Sequence, residues 1–208
     1  MAGERGRFIV LEGGEGAGKS TQAPVIRDWL QSRGREVVLT REPGGSPLAE
    51  AIRGLVLGDW EEGVSAVTEL LLIFAARAAH LHARIEPSLA AGTDVVCDRF
   101  VDASYAYQGA GRGLGADTIR SLERIVVGDL RPDLVIVLDV DPETGLRRAR
   151  HRGDENRFEA ETLAFMQRVR QGYLERVHSD PQRYALVDAS QSPQLVQSAI
   201  ASILERSL

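Results

Sequence analysis

A three-layer α/β architecture, in which a parallel five-stranded sheet is covered by helices on both faces, is the fold class this sequence predicts. Short continuous apolar runs recur along the chain at residues 8–11, 37–39, 95–97 and 134–138, with a weaker one at 184–187. Runs that are apolar at every position, rather than at alternate ones, fit strands buried on both faces. Helical periodicity fills the intervals between them, as crossover connections in a parallel sheet require.

Each helix has its own signal. Residues 19–33 place Ile26 and Leu30 on one face and close at Gly34. Residues 47–57 read as a second helix, with Leu48, Ile52, Leu55 and Val56 on one side. From 64 to 90 a long Leu- and Ala-rich helix is expected, kinked near Pro87. Residues 117–127, 142–151, 159–178 and 193–205 complete the set.

The 208 residues are 43% hydrophobic and 26% charged, which suits one domain with a sizeable core and not a disordered tail. A net charge of −5 argues against a broad basic field for a nucleic-acid polymer, yet local arginines can still surround a small phosphorylated ligand. Cys97 is the only cysteine, so an internal disulfide is impossible and a cysteine-rich zinc site is not expected. No signal peptide is read at residues 1–7 and no membrane span anywhere, so a soluble, cytoplasmic chain is expected. His80 and His82 sit two apart on a helix, a poor spacing for joint metal ligation, and Trp29 and Trp60 read as packing residues.

The first apolar run leads into Gly13-Gly14-Glu15-Gly16-Ala17-Gly18-Lys19-Ser20, followed by Thr21. Glycine, four residues, then Gly-Lys-Ser between a strand and a helix is a phosphate-binding loop. Its small residues let backbone N–H groups close around the β-phosphate of a nucleoside triphosphate, with the helix N-terminus adding a favourable field. Lys19 is expected at the β- and γ-phosphates, and the Ser20 hydroxyl on Mg²⁺. A GTPase-type switch would add Asp-x-x-Gly and Asn-Lys-x-Asp elements, and neither occurs. A small-molecule kinase is therefore favoured.

Five stretches together resemble the thymidylate kinase family of bacteria: residues 11–20, Thr40-Arg41-Glu42-Pro43-Gly44-Gly45, Asp98-Arg99, Ala106-Tyr107-Gln108-Gly109 and Arg131-Pro132-Asp133. The resemblance spans essentially the whole chain. It implies the P-loop nucleoside monophosphate kinase fold, transfer of the γ-phosphoryl of ATP to dTMP, a Mg²⁺ requirement and a homodimer. It also implies site residues. Arg41 and Arg99 clamp the acceptor phosphate, for which a bidentate guanidinium is suited. Asp98 helps Ser20 hold the metal. Phe74, which by itself reads as core, stacks on thymine, and Arg77 contacts the base. Ser104, Tyr107 and Gln108 form a loop that reads the pyrimidine edge and excludes a 2′-hydroxyl, with 109–111 flexible behind it. Glu15 points to the deoxyribose 3′-hydroxyl and away from the ATP phosphates.

The phosphate loop carries no arginine, so the resemblance places the catalytic cation in a lid at about 147–158, among Arg148, Arg150, Arg152 and Arg157. Arg148 and Arg152 are the preferred candidates, with Gly153 as a hinge and Glu159 and Glu161 as anchors or metal helpers. Arginines at a helix C-terminus also serve its dipole, which accounts for part of the cluster. The competing readings are a related kinase with another monophosphate acceptor and a non-catalytic ATP-binding regulator.

Overall fold

The computed structural model describes residues 5–151, 158 and 161–208. Its sheet is fully parallel, with strands β1 (Phe8–Gly13), β2 (Val37–Arg41), β3 (Asp94–Asp98), β4 (Leu134–Asp139) and β5 (Tyr184–Asp188) in the order β2-β3-β1-β4-β5. Strand alternation explains the unbroken apolar runs. Phe8, Val10, Val95, Cys97, Val135 and Val137 face one core, while Ile9, Leu11, Val96, Leu134, Ile136 and Leu138 face the other. The second core is closed by α1 (Lys19–Gln31) and α9 (Pro193–Ser207), through Ile26, Leu30, Ile200 and Leu204.

The first core is covered by α2 (Pro47–Leu57), α3 (Ala66–His80), α6 (Ala116–Val126) and α8 (Leu163–Ser179), together with the short α4 (Glu86–Ala90) and α5 (Val101–Ser104). Helix α7 (Pro142–Arg150) follows β4, with Leu146 buried in that core. Connections from β1 and from its neighbour β4 leave in opposite directions, which opens a crevice at the carboxyl ends of the strands.

Several expectations are corrected. On α2, Val56 is buried, but Leu48 and Leu55 lie exposed, because the apolar stripe is wider than the face that meets the core. The long helix is continuous over 66–90, and its irregularity precedes Pro87: a π-helical turn at Leu81–Ile85 absorbs the irregularity in the ladder, and Pro87 occupies the first turn of α4. This 25-residue stretch is long and apolar enough to meet the length of a membrane span, contrary to the expectation of none. Its Glu69, Arg77 and His80 are nevertheless buried in polar contacts inside the fold. Helix α8 begins at Leu163, capped by the Thr162 hydroxyl, rather than at 159. The lid expected over about 147–158 falls partly outside the described residues.

The stretch expected as a loop around Ser104–Gln108 is helical and buried. Helix α5 runs into a π-helical segment, Tyr105–Gly111, that packs along α8. Glycine here serves contact rather than flexibility. A Cβ on Gly111 would stand 2.7 Å from the Phe165 ring, and one on Gly172 would stand 2.9 Å from Ala106 Cα and 3.0 Å from Ala110 Cβ. Gly172→Ala therefore forces α8 off the π-helical segment. Overpacking of this kind costs about 1–3 kcal/mol, and for a chain of this size the expected fall in Tm is roughly 3–10 °C. Thermal denaturation checks it, and an unchanged Tm would show that the two elements are not rigidly apposed.

Candidate active site

The phosphate loop emerges where β1 ends. Gly18 adopts φ 93° as the N-cap of α1 and, as a glycine, brings no side chain to cap the first N–H groups of that helix. Gly16 and Gly145 make a second close approach. A Cβ on Gly16 would meet the Gly145 carbonyl oxygen and one on Gly145 would meet the Glu15 carbonyl oxygen, so the loop lies directly against α7. Lys19 Nζ donates to the carbonyls of Gly13 and Gly14, each at 3.0 Å. Burial, reinforced by the nearby charge of Arg99, lowers its pKa to about 8.

Beneath the loop, Glu12 is completely buried. It accepts from the N–H of Phe100 at 2.7 Å, the N–H of Ala103 at 3.2 Å and the Tyr173 hydroxyl at 2.9 Å. Burial, with Asp102 adding repulsion, raises its pKa to about 7. Sequence reasoning assigned Glu12 no role of its own; a carboxylate inside an apolar strand was the available signal.

Asp98 and Arg99, adjacent in sequence, part company in space. Asp98 ends β3 beside Leu11 and Arg41 in the sheet register and lines a cleft with Ser20, Arg41 and Arg84. Arg99 is the one non-glycine among the described residues with positive φ, at 71°. That left-handed turn carries it across to the other side of the phosphate loop. There it donates to Glu15 Oε1 at 2.6 Å, to the Gly13 carbonyl at 2.8 Å and to the Tyr173 hydroxyl at 3.1 Å.

Glu15 also accepts from the Tyr107 hydroxyl at 2.8 Å, and the Tyr107 ring lies 4.9 Å from the Arg99 guanidinium. These residues wall a cleft of about 130 Å³ together with Arg77, Ser104 and Gln108. The predicted acceptor residues Glu15, Arg77, Arg99, Ser104, Tyr107 and Gln108 are thus brought together. Phe74 is not: it is buried beneath Arg77, 4.7 Å from its guanidinium, and Ile73 takes the place on the cleft wall. Arg77 is also more committed than a base contact alone would require. It donates to Glu42 at 2.7 Å, to Ser104 Oγ at 3.0 Å and to the Phe100 carbonyl at 2.9 Å.

Arg41 stands with Ser20 and Asp98 rather than with Arg99, and Glu50 holds it in a two-point ion pair at 2.8 and 3.1 Å. Between the two clefts lies Arg53, a residue the sequence reading missed. It lines the acceptor cleft and donates to the Pro43 carbonyl at 2.9 Å; burial first, then the charge of Arg41, lowers its pKa. Glu42 was likewise missed, although it follows Arg41 directly; it ties Arg77 to His80, whose other nitrogen lies 2.7 Å from Thr40 Oγ1. Phe158, also on the acceptor cleft, packs edge-on against Tyr107 at 5.7 Å.

The donors Ser20 and Asp98 are hard oxygen ligands on one open cleft, a set suited to Mg²⁺, which binds few protein groups and keeps its waters and phosphate ligands. Among the described residues no group of three or more His, Cys, Asp or Glu side chains forms a closed metal cage. Arg148 is turned toward the end of β5, donating to the carbonyls of Ala189 at 2.7 Å and Ser190 at 3.3 Å. Glu161 pairs with Arg112. Arg152, Arg157 and Glu159 lie outside the described residues.

Comparison with known proteins gives the family. The family profile described as thymidylate kinase matches residues 11–200. A thymidylate kinase of Pseudomonas putida is 56% identical over 199 residues, covering 96% of this chain and 95% of its own length. One from Hahella chejuensis is 52% identical over 205 residues, with 99% of each chain covered. A crystal structure of thymidylate kinase from Ehrlichia chaffeensis superposes with a TM-score of 0.80 at 31% identity, covering 96% of this chain and 99% of that one. A phosphate loop tied through Arg99 to a second, tyrosine-walled cleft, with similarity running almost end to end, identifies this chain as a member of the thymidylate kinase family.

Proposed function

We propose that, in the phosphorylation of dTMP to dTDP carried out by this kinase, ATP lies along residues 13–21 and dTMP occupies the cleft of Glu15, Arg99 and Tyr107. The observation that carries the reading is a shared contact: Arg99 donates both to the Gly13 carbonyl of the phosphate loop and to Glu15 on the acceptor side. A donor phosphate on the loop amides and an acceptor phosphate at Arg99 then meet across that contact, which is the proximity that in-line transfer needs. No general base is required, because the acceptor phosphate is already ionised near neutral pH.

Lys19 neutralises the β- and γ-phosphates, and Ser20 and Asp98 would hold Mg²⁺. Held there, the ion would supply positive charge to offset the charge that develops on the phosphates. Arg41, exposed beside Ser20 and Asp98, exchanges its Glu50 partner for phosphate. Glu15 accepts from the 3′-hydroxyl of the sugar, and Tyr107, fixed through its own hydroxyl, fills the space a 2′-hydroxyl would need. The lid cation is assigned to the arginines of 147–157, Arg152 ahead of Arg148, because Arg148 is engaged by the carbonyls of Ala189 and Ser190.

We also propose a homodimer. Leu48, Leu55, Trp60, Val67 and Leu71 are exposed on the mutually packed α2 and α3 and the segment joining them, with Val67 54% and Leu71 53% accessible. Two copies burying these faces against each other remove that surface from water.

The direct test of the reaction is ADP production from ATP and Mg²⁺ with dTMP, dUMP, UMP, dCMP, dGMP and AMP offered separately. Turnover is expected with dTMP and little with ribonucleotides. In the same assay Glu15→Gln raises the KM for dTMP by about tenfold, the loss of one charged hydrogen bond, with the KM for ATP unchanged. Equal dTMP kinetics in the variant would remove Glu15 from sugar recognition.

A second expectation concerns pH. Lys19 with a pKa of about 8 is cationic below that value and neutral above it. The free enzyme therefore loses the charge that attracts ATP as pH rises through about 8, and kcat/KM for ATP falls on that limb. A profile flat to about pH 9.5 would show that Lys19 keeps its ordinary value. Finally, light scattering of the purified protein is expected to give about twice the 22.7 kDa chain mass, and Leu71→Glu is expected to halve it; a monomeric parent protein would dismiss the dimer.

A further inference from the structure

Glu69 projects from α3 into the space behind the acceptor cleft, with none of its side chain accessible. Two residues of the neighbouring chain turn converge on it. Gln108 Nε2 donates to Glu69 Oε1 at 2.7 Å. Arg112 donates Nη2 to Oε2 at 3.0 Å and Nε to both oxygens, at 3.2 and 3.3 Å. A carboxylate gripped by a guanidinium offers only acceptors, so Gln108 cannot turn its carbonyl toward it. The amide has one orientation: Nε2 toward Glu69 and Oε1 away.

Gln108 lines the cleft. Its Oε1 takes no hydrogen bond among the described residues, and it is not an orphaned buried atom, since Gln22 Oε1 is the one such atom among them. It is therefore open to the cleft. Close by on the same wall, Ser104 Oγ already accepts from Arg77 Nη1 at 3.0 Å, which leaves its own O–H to donate. The wall thus presents an acceptor and a donor in a fixed arrangement.

We propose that Glu69 is a specificity-determining positioning residue: it locks the Gln108 amide so that the cleft offers an acceptor to a base bearing N3–H beside a carbonyl, as thymine and uracil do. Cytosine, whose N3 accepts and whose amino group donates, meets like against like. This rests on the reading that the acceptor base lies against Gln108. Arg112 does not depend on Glu69 alone, since it also pairs with Glu161 at 2.5 Å and lies 4.6 Å from the Phe165 ring.

Glu69→Gln keeps the shape but can either accept or donate, so the Gln108 amide is free to reverse. The ratio of kcat/KM for dTMP to that for dCMP is expected to fall at least about tenfold, the scale of one mispaired buried hydrogen bond. The fall comes from a higher KM for dTMP and newly measurable dCMP turnover, while kcat at saturating dTMP and the KM for ATP stay within about threefold. Gln108→Ala is measured alongside. If it changes the ratio while folded Glu69→Gln does not, the lock is overturned and the base cleft stands. If Gln108→Ala leaves the ratio unchanged, the base does not lie against Gln108 and both readings fall. Should Glu69→Gln not fold, the side-chain amide of Gln108 is read by ¹⁵N NMR in the unsubstituted protein: slowed solvent exchange of one Nε2 proton supports the lock, and fast exchange of both overturns it.

Discussion

The ion pair between Arg99 and Glu15 is the contact that anchors the acceptor cleft to the phosphate loop. It spans 2.6 Å and is largely shielded from solvent, and the Arg99 guanidinium also shares the Gly13 carbonyl with the neighbourhood of Lys19. Two cations on one carbonyl repel, and the pKa of Lys19 is lowered by its burial first and by the charge of Arg99 second. Phosphate anions relieve it. The unliganded arrangement is thus held by carbonyls and a carboxylate that a nucleotide can replace, so that positive charge is placed before the substrate arrives.

Carboxylate pairing recurs around both clefts. Arg41 is paired to Glu50, Arg77 to Glu42, and Arg112 to Glu69. A guanidinium needs partners when removed from water, and each carboxylate fixes a direction as well as a charge. This is how a chain with a net charge of −5 builds a cleft for a dianionic substrate without a basic surface. Overall charge is silent on the arrangement, because Arg41, Arg77, Arg99 and Arg112 each have a carboxylate oxygen within 3.0 Å.

The phosphate loop was legible in the sequence because its chemistry is contiguous: eight successive residues follow a strand and open a helix, and the peptide N–H groups do the binding. The strands were legible for a similar reason, since a run buried on both faces needs no distant information. Phe74 was not. It and Arg77 stand three apart on α3, yet helix phase against the sheet put Ile73, four before Arg77, on the cleft wall and Phe74 underneath. The glycines near Gln108 misled in another way, because sequence cannot distinguish a glycine used for freedom from one used to admit a neighbour's ring or backbone. Here Gly111 and Gly172 admit neighbours, and the segment read as a loop is a packed π-helical element.

By itself, then, the sequence determined the parallel sheet, the order of elements, the phosphate loop and most of the residues gathered around the acceptor cleft. The tertiary structure decided which of them share a cleft. It turned Arg99 away from Asp98 through the left-handed backbone of Arg99 itself, put Arg41 with the metal donors, brought Arg53 between the two clefts, and set Glu69 behind Gln108. The physical reason is that carboxylate–guanidinium pairs join residues tens of positions apart, and no local pattern encodes such a pairing. Only the packing of α3 and the π-helical segment onto one core brings the partners within reach of a hydrogen bond.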